Sequence, residues 1–397
     1  MPSQPFAESS MDPQSQSRFF SMPIEIRQAI YAHIIPDSVH LFLQQDKVAV
    51  SACIEPCPER DLSGLERRSA GDWRTDAIMA RRLRSSWGPH WKCEEVALGI
   101  GDSYDDKMCD VARDVTMTAV LAVCKKMYTD ILIFMVSTVT FNVTDLETLE
   151  YLVQPNQDSG LSHPSSDGLL PKVCPFLKRL NITLRLPLSF FKMPENGVAL
   201  TSSSGAGDIL KTPDDVPSQW KTWAQIWAVL ARQPKQLQNL HVWLDMDDKS
   251  SWSLVNERAI LSHLAALTSI GTVPGLKHIS VNLPLLHPPY EKPGRHFTKD
   301  SPPPPAYLTI QRSLRQTFHS EEIAPGEFRV VNDSEFSSLV ELLELPGFEG
   351  MSLAEIVKME RECWGRGQDL EADLLALING PIFEVGATPA AQLQLRL

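Results

Sequence analysis

Three segments spell one eight-residue pattern. Leu177-Lys178-Arg179-Leu180-Asn181-Ile182-Thr183-Leu184, then Leu237 to Leu244 and Leu276 to Leu283, all fit Leu-x-x-(Leu/Ile)-x-(Ile/Val)-x-Leu. The closing residues alternate apolar with polar, the period of a strand that buries one face. Helical spacing precedes the second and third copies. One helix is predicted from about Gln219 to Arg232, with Trp220, Trp223, Trp227 and Leu230 on one side and Pro234 beyond its end. Another is predicted from about Glu257 to Ile270, with Ile260, Leu264 and Leu267 inward and Gly271 as its stop. Strands separated by helices predict a parallel sheet with helices packed on it. The expected fold class is therefore α/β (or α+β), an irregular helix–strand array.

The shape of the repeated strand resembles a leucine-rich repeat, at longer and uneven spacing, so the array is only distantly leucine-rich-repeat-like. A second unit of the same kind lies between Ala119 and Val153. Val120, Cys124, Met127, Tyr128, Ile131 and Met135 make a helical stripe; Val139, Phe141 and Val143 then alternate with Thr138, Thr140 and Asn142. Thr144 with Glu147 has capping-box spacing and starts a helix whose inner face is Leu146, Leu149 and Leu152.

The chain begins with a polar, Ser/Gln/Pro-rich tail, 1–17. A helix from about Pro23 to Ile35 follows, capped by Ser21 and stopped by Pro36. Val39 to Leu43 and Lys47 to Ile54 predict a hairpin, so 18–54 is one helix-plus-hairpin unit. Residues 55–113 read as a mobile insertion with short helices around Asp76 to Ser85 and Glu94 to Leu98. The helix–strand core is expected over 114–285, broken by a flexible Ser/Gly/Asp-rich loop from Met193 to Pro217. A Pro-rich linker over 286–306 must be extended. A mostly helical segment, 307–385, and a tail, 386–397, complete the chain. In that segment Phe328 to Val331 predicts a short strand, Ser334 to Leu343 and Leu370 to Ile378 predict helices, and Ser352 with Glu355 forms a capping box.

A net charge of −12 argues against non-specific nucleic-acid binding. The local exception, Arg60 to Lys92, carries Arg67, Arg68, Arg81, Arg82 and Arg84, a docking patch for an acidic partner or a solvated surface. No signal peptide or membrane span is visible, so a cytoplasmic or nuclear protein is expected. Seven cysteines are spread through the chain. Cys53 and Cys57 have no second ligand pair at zinc-finger spacing, and His90 and Cys93 also lack partners. All seven are read as reduced thiols, with no metal site.

Candidate chemistry is sparse. Asp245, Asp247 and Asp248 follow the second repeated strand, where open parallel sheets place ligand sites. They form either a cation- or proton-sharing cluster or a solvated capping turn. The Trp220, Trp223, Trp227 stripe reads as core rather than as a binding platform. Pro304-Pro305-Ala306-Tyr307 spells Pro-Pro-x-Tyr, a polyproline segment of the kind a WW-domain protein docks, or a stiff linker. No phosphate loop, nucleophile elbow, dinucleotide fingerprint or His-Glu-x-x-His occurs, so no cofactor is expected.

Two blocks carry a resemblance. Met22-Pro23-Ile24-Glu25-Ile26-Arg27-Gln28-Ala29-Ile30-Tyr31 resembles the Leu-Pro-x-Glu-(Ile/Leu)-Arg-x-x-Ile-Tyr opening of a large group of uncharacterised fungal proteins. Leu121 to Tyr128 with Ser137 to Phe141 resembles that group's second block, departing at Asp130, where Glu is usual, and at Val139, where Asn is usual. The likeness spans roughly residues 20 to 285 and implies no catalytic residues. The opening also resembles the first helix of an F-box, and Val123-Cys124-Lys125 its later Val-Cys-Lys. That second likeness implies a Skp1-type adaptor as partner, with Ile24, Ile30 and Ile34 as the docking face. The expected function is non-enzymatic protein–protein interaction; the alternative is an enzyme with its site near Asp245, Asp247 and Asp248.

Overall fold

The computed structural model describes residues 17–45, 47–54, 84–100, 123–153, 176–200, 215–232, 236–247, 250–269, 276, 278–313, 315, 318–324, 327–332, 352–368, 370 and 372–373. The helices are α1 (Arg18–Ser21), α2 (Ile24–Ile34), α3 (Trp91–Leu98), α4 (Lys125–Thr138), α5 (Leu146–Val153), α6 (Leu188–Leu200), α7 (Asp215–Arg232), α8 (Glu257–Ser262), α9 (Ala266–Ser269) and α10 (Leu353–Gly365). The strands are β1 (Ser38–Gln44), β2 (Lys47–Ala52), β3 (Thr140–Val143), β4 (Arg179–Leu186), β5 (Asn239–Met246), β6 (His278–Pro284), β7 (Leu308–Ser313), β8 (Phe318–Ala324) and β9 (Glu327–Asn332). The three repeated segments are β4, β5 and β6.

One sheet organises these elements, in the order β2-β1-β3-β4-β5-β6-β7. Every neighbouring pair is parallel except the β1–β2 hairpin. Strand β3 lies beside β1, on the side away from β2, and from β4 onward each strand lies beside its predecessor in the chain, so all crossovers step the same way. Right-handed connections then put the crossover helices on a single face, and α5, α6, α7 and α9 do pack side by side. The apolar alternation decides which side chains meet them. Leu180, Ile182 and Leu184 of β4, Leu240, Val242 and Leu244 of β5, and Ile279, Val281 and Leu283 of β6 are all buried in the main core. Val39 and Leu41, with Phe141 and Val143, continue that core beneath α4 and α5. From α7, Trp223 and Trp227 are fully buried in it, which settles the tryptophan stripe as core.

The opposite face is polar and partly laddered. Asn142 Nδ2 donates to Ser38 Oγ at 2.7 Å, and Asn181 Nδ2 donates to Asn142 Oδ1 at 3.0 Å. His241 Nδ1 pairs with Ser280 Oγ at 2.7 Å, and Ser313 Oγ donates to Asn282 Oδ1 at 2.7 Å. Part of this face is roofed by residues 85–98, which hold Trp87, His90 and Cys93 buried. That part of the presumed insertion is therefore packed structure rather than a mobile segment; Arg67, Arg68, Arg81 and Arg82 lie outside the described residues.

Several local expectations are corrected. Ser21 does not cap α2: its hydroxyl donates to Arg18 O in α1, and Pro23 occupies the N-cap. Thr144 does not cap α5; Asp145 does, accepting Thr148 N at 2.6 Å and the Thr148 hydroxyl at 2.7 Å. Helix α6 runs through Met193 and Pro194, where a loop was expected. The Glu257–Ile270 helix is broken into α8, a 3-10 turn at His263–Ala265 and α9. The proline-rich connection is not extended throughout: it turns at Pro288–Tyr290 and buries His296. Nor does it end the sheet, since β7 lies beyond it. The strand expected at Phe328 to Val331 is β9, paired antiparallel with β8, which the sequence did not announce. The Ser352–Glu355 capping box is present with both of its bonds. The helix expected at Ser334 to Leu343 lies outside the described residues, as does most of the one at Leu370 to Ile378.

Candidate metal centre

Four side chains meet on the polar face, near its β1–β2 edge. In the hairpin His40 stands opposite Ser51. Cys53 N donates to Ser38 O at 2.9 Å, which places Cys53 opposite Ser38. His40 and Cys53 are therefore a diagonal cross-strand pair on one face, within reach of each other. The other two residues come from the roof. Gly88–His90 forms a 3-10 turn that runs directly into α3. His90 and Cys93, three apart along that turn, point the same way.

The roof is held in place by polar anchors. Trp87 N donates to Ser85 Oγ at 3.1 Å, the Ser86 hydroxyl donates to Glu94 Oε1 at 2.9 Å, and Arg185 of β4 donates to Ser85 O at 2.9 Å. Gly88 has φ +57°, and a Cβ there would lie 2.8 Å from the Trp243 ring of β5.

His40, Cys53, His90 and Cys93 are all buried, and their potential ligand atoms all lie within 4.8 Å of one another. Cys53 Sγ lies 3.7 Å from His90 Nδ1 and 3.9 Å from Cys93 Sγ; Cys93 Sγ lies 3.9 Å from His90 Nδ1. Neither ring nitrogen of His40 has a hydrogen-bond partner. Its ring stacks on Trp87 at 4.8 Å and meets His90 edge-on at 4.7 Å. Phe42, Ala49 and Ala97 complete a small apolar cluster around the thiols and Trp87. Burial lowers the His40 pKa, so the ring is neutral; the Cys53 hydrogen bond and burial raise that of the Cys93 thiol. Sequence reasoning left Cys53 and the His90–Cys93 pair without partners, and the fold overturns that. The signal available was the three-residue spacing of His90 and Cys93 on a helical turn. His40 itself was not singled out.

The acidic cluster is arranged differently. Asp245 is not a solvated turn residue: only 2% exposed, it lies within β5. Its Oδ1 accepts from Arg315 Nε at 2.9 Å and from Met246 N at 2.8 Å, while Arg185 lies 3.7 Å from Oδ2. Two guanidiniums thus hold this carboxylate as a clamp between β4, β5 and the chain after β7. Asp247 follows the strand, its N–H donating to Leu186 O at 3.3 Å; Asp248 lies outside the described residues.

Helix α2 docks through one side only. Tyr31 is fully buried, and Asp130 of α4 accepts from both Arg27 and the Tyr31 hydroxyl. Ile24 is 41% and Ile26 50% exposed, while Ile30 and Ile34 are half-buried. In the Pro-Pro-x-Tyr segment, Pro305 is exposed and Pro304 half-buried, but Tyr307 packs against the main core. A WW-domain groove takes this segment only if that ring is withdrawn.

These features define a class: a one-directional α/β array with helices on one face, a roofed polar face on the other and a buried Cys/His cluster beneath the roof. The chain belongs to the family described as Domain of unknown function (DUF7730), whose model matches residues 12–295 and so spans all four residues of the cluster. No curated protein and no solved structure matches the chain. No helix among the described residues is long and apolar enough to cross a membrane.

Proposed function

We propose that the protein is a non-enzymatic interaction protein that uses α2 as an F-box-like docking helix for a Skp1-type adaptor. The observation that carries this reading is the 50% exposure of Ile26, on the side of the helix turned away from the buried Tyr31, with Ile24 41% exposed in the first turn and the helix itself fixed by Tyr31 and the Arg27–Asp130 pair. Exposed apolar side chains grouped on one element mark an interaction surface. Ile26 lies off the anchored side and Ile24 lies at the open first turn, so a partner can cover both without displacing Tyr31 or the Arg27–Asp130 pair. The array behind α2 then serves as a rigid platform. The enzymatic alternative is less well supported, since Asp245 is occupied by Arg315 and Arg185.

The test is calorimetric titration of the chain with a purified Skp1-type adaptor, using wild type and Ile24→Asp/Ile26→Asp. Both positions are exposed, so the double variant is expected to keep the wild-type circular dichroism spectrum. Saturable binding by wild type, weakened at least about tenfold in the variant, which is about 1.4 kcal/mol, supports the reading. No binding by wild type, or equal binding by both, rejects it.

A further inference from the structure

We propose that His40, Cys53, His90 and Cys93 bind a structural zinc ion that fastens the 85–98 roof to the sheet. Three independent features of the cluster point there. The first is size. A tetrahedral site with Zn–S of about 2.3 Å and Zn–N of about 2.0–2.1 Å requires ligand atoms about 3.3–3.8 Å apart. The sulfur–sulfur distance of 3.9 Å and the sulfur–nitrogen distances of 3.7 and 3.9 Å are close to that requirement. They also lie within the range of weak hydrogen bonds to sulfur, and the two sulfurs are too far apart for a covalent S–S bond of about 2.05 Å.

The second feature is the state of His40. Its ring is 0% exposed, and both nitrogens lack a hydrogen-bond partner. A buried polar ring left in that state is costly, and coordination through one nitrogen removes the deficit there. The third is charge. Binding displaces one proton from each thiol, so two thiolates offset the two positive charges of the ion, and the two imidazoles coordinate as neutral ligands. The resulting centre is neutral overall, which suits its apolar surroundings of Trp87, Phe42, Ala49 and Ala97.

Two thiolates and two imidazoles in a closed tetrahedron select zinc over the harder magnesium and calcium. Four protein ligands leave no open position for a substrate, so the centre is structural rather than catalytic. It links the β1–β2 hairpin to a segment dozens of residues later, and it acts independently of the exposed face of α2.

The experiment is elemental analysis of the full chain, purified without a metal-affinity step and with zinc, copper, iron and nickel all measured. Cobalt(II) is then exchanged into the zinc-depleted protein. About one zinc per chain is expected. The cobalt form should show the strong visible bands of tetrahedral coordination together with thiolate-to-cobalt charge transfer. Cys93→Ser should lower zinc content by at least about tenfold, and Cys363→Ser, on α10, should leave it unchanged. If Cys93→Ser does not fold, wild-type metal content and the cobalt spectrum still decide. A folded wild-type chain without stoichiometric zinc, one carrying a Cys53–Cys93 disulfide, or cobalt bands of octahedral character would overturn the proposal.

Discussion

Gly88 stands at the tightest approach between the roof and the sheet. Its φ of +57° and the Trp243 ring 2.8 Å from a would-be Cβ act together. The left-handed conformation alone costs a non-glycine residue about 1–2 kcal/mol, and the ring must also move. Gly88→Ala is therefore expected to lower unfolding free energy by at least about 1–2 kcal/mol, read from a denaturant titration. Asp145 gives a contrasting case. Burial raises its pKa, so the native state disfavours its charge even as the carboxylate caps α5. The sign follows: the native state binds the proton more readily than the unfolded chain, so this group's contribution becomes less favourable as pH rises from the unfolded value through the raised one. Asp145→Asn keeps an acceptor and removes the charge. It is expected to match or exceed wild-type stability at neutral pH, whereas Asp145→Ala should cost about 0.5–2 kcal/mol.

At this scale the sequence showed residue types but not their meetings. Cys53, His90 and Cys93 were visible, yet their contact depends on 36 intervening residues returning to the hairpin, and no local rule encodes that return. His40 lies on an alternating strand, where a polar residue reads as solvent-facing; here a roof covers it. Asp245 was marked for its position at a strand end, but its guanidinium partners, Arg185 and Arg315, come from distant segments.

Among the elements, alternation made β4, β5 and β6 legible, because a strand that buries one face must repeat every second residue. The tryptophan stripe of α7 was legible for the same reason at helical period. The misses have physical causes. Helix α6 begins with Leu188 and carries the buried Phe190 and Phe191, but its later residues include Pro194 and Gly197, which weaken any helical reading. The proline-rich connection folds because Glu257 organises it. Its Oε1 accepts from Trp252 Nε1 at 2.8 Å, its Oε2 accepts from Phe297 N at 2.9 Å, and Arg312 of β7 binds both oxygens. This pair joins the last strand of the sheet to α8. Arg312→Leu leaves the Glu257 carboxylate buried without its counter-ion, and a loss of about 3–5 kcal/mol is expected, measured by chemical unfolding. A loss below about 1 kcal/mol would place the pair among weak surface salt bridges.

For the molecule as a whole, parallel order with helices packed on the sheet was predictable from the repeated helix–strand units, whereas the gathering of the crossover helices on one face and the roof on the opposite face were not. Acid sensitivity belongs to this scale, because His296 sits where the connection, α8 and β7 converge. Its Nδ1 accepts from Lys292 N at 2.9 Å, and its Nε2 lies 3.1 Å from Val255 O. Burial depresses its pKa, while the neighbouring Glu257 opposes the shift and Arg312 reinforces it. The native state thus selects the neutral ring. Its contribution is complete above the unfolded value of about 6.5 and is lost as pH falls below it. Between about pH 7 and pH 5, wild-type melting temperature should fall more steeply than that of His296→Gln; equal slopes would remove this residue from the acid response.

The roof and the sheet should also separate energetically. Chelation is expected to raise amide exchange in residues 85–98 while the amides of β4, β5 and β6 keep their protection. The most direct single measurement is zinc-edge X-ray absorption on the purified chain. The expected result is a first shell of two sulfurs at about 2.3 Å and two nitrogens at about 2.0–2.1 Å. A shell of oxygens, a shell of sulfur alone, or no zinc edge would contradict a Cys/His metal centre beneath the roof.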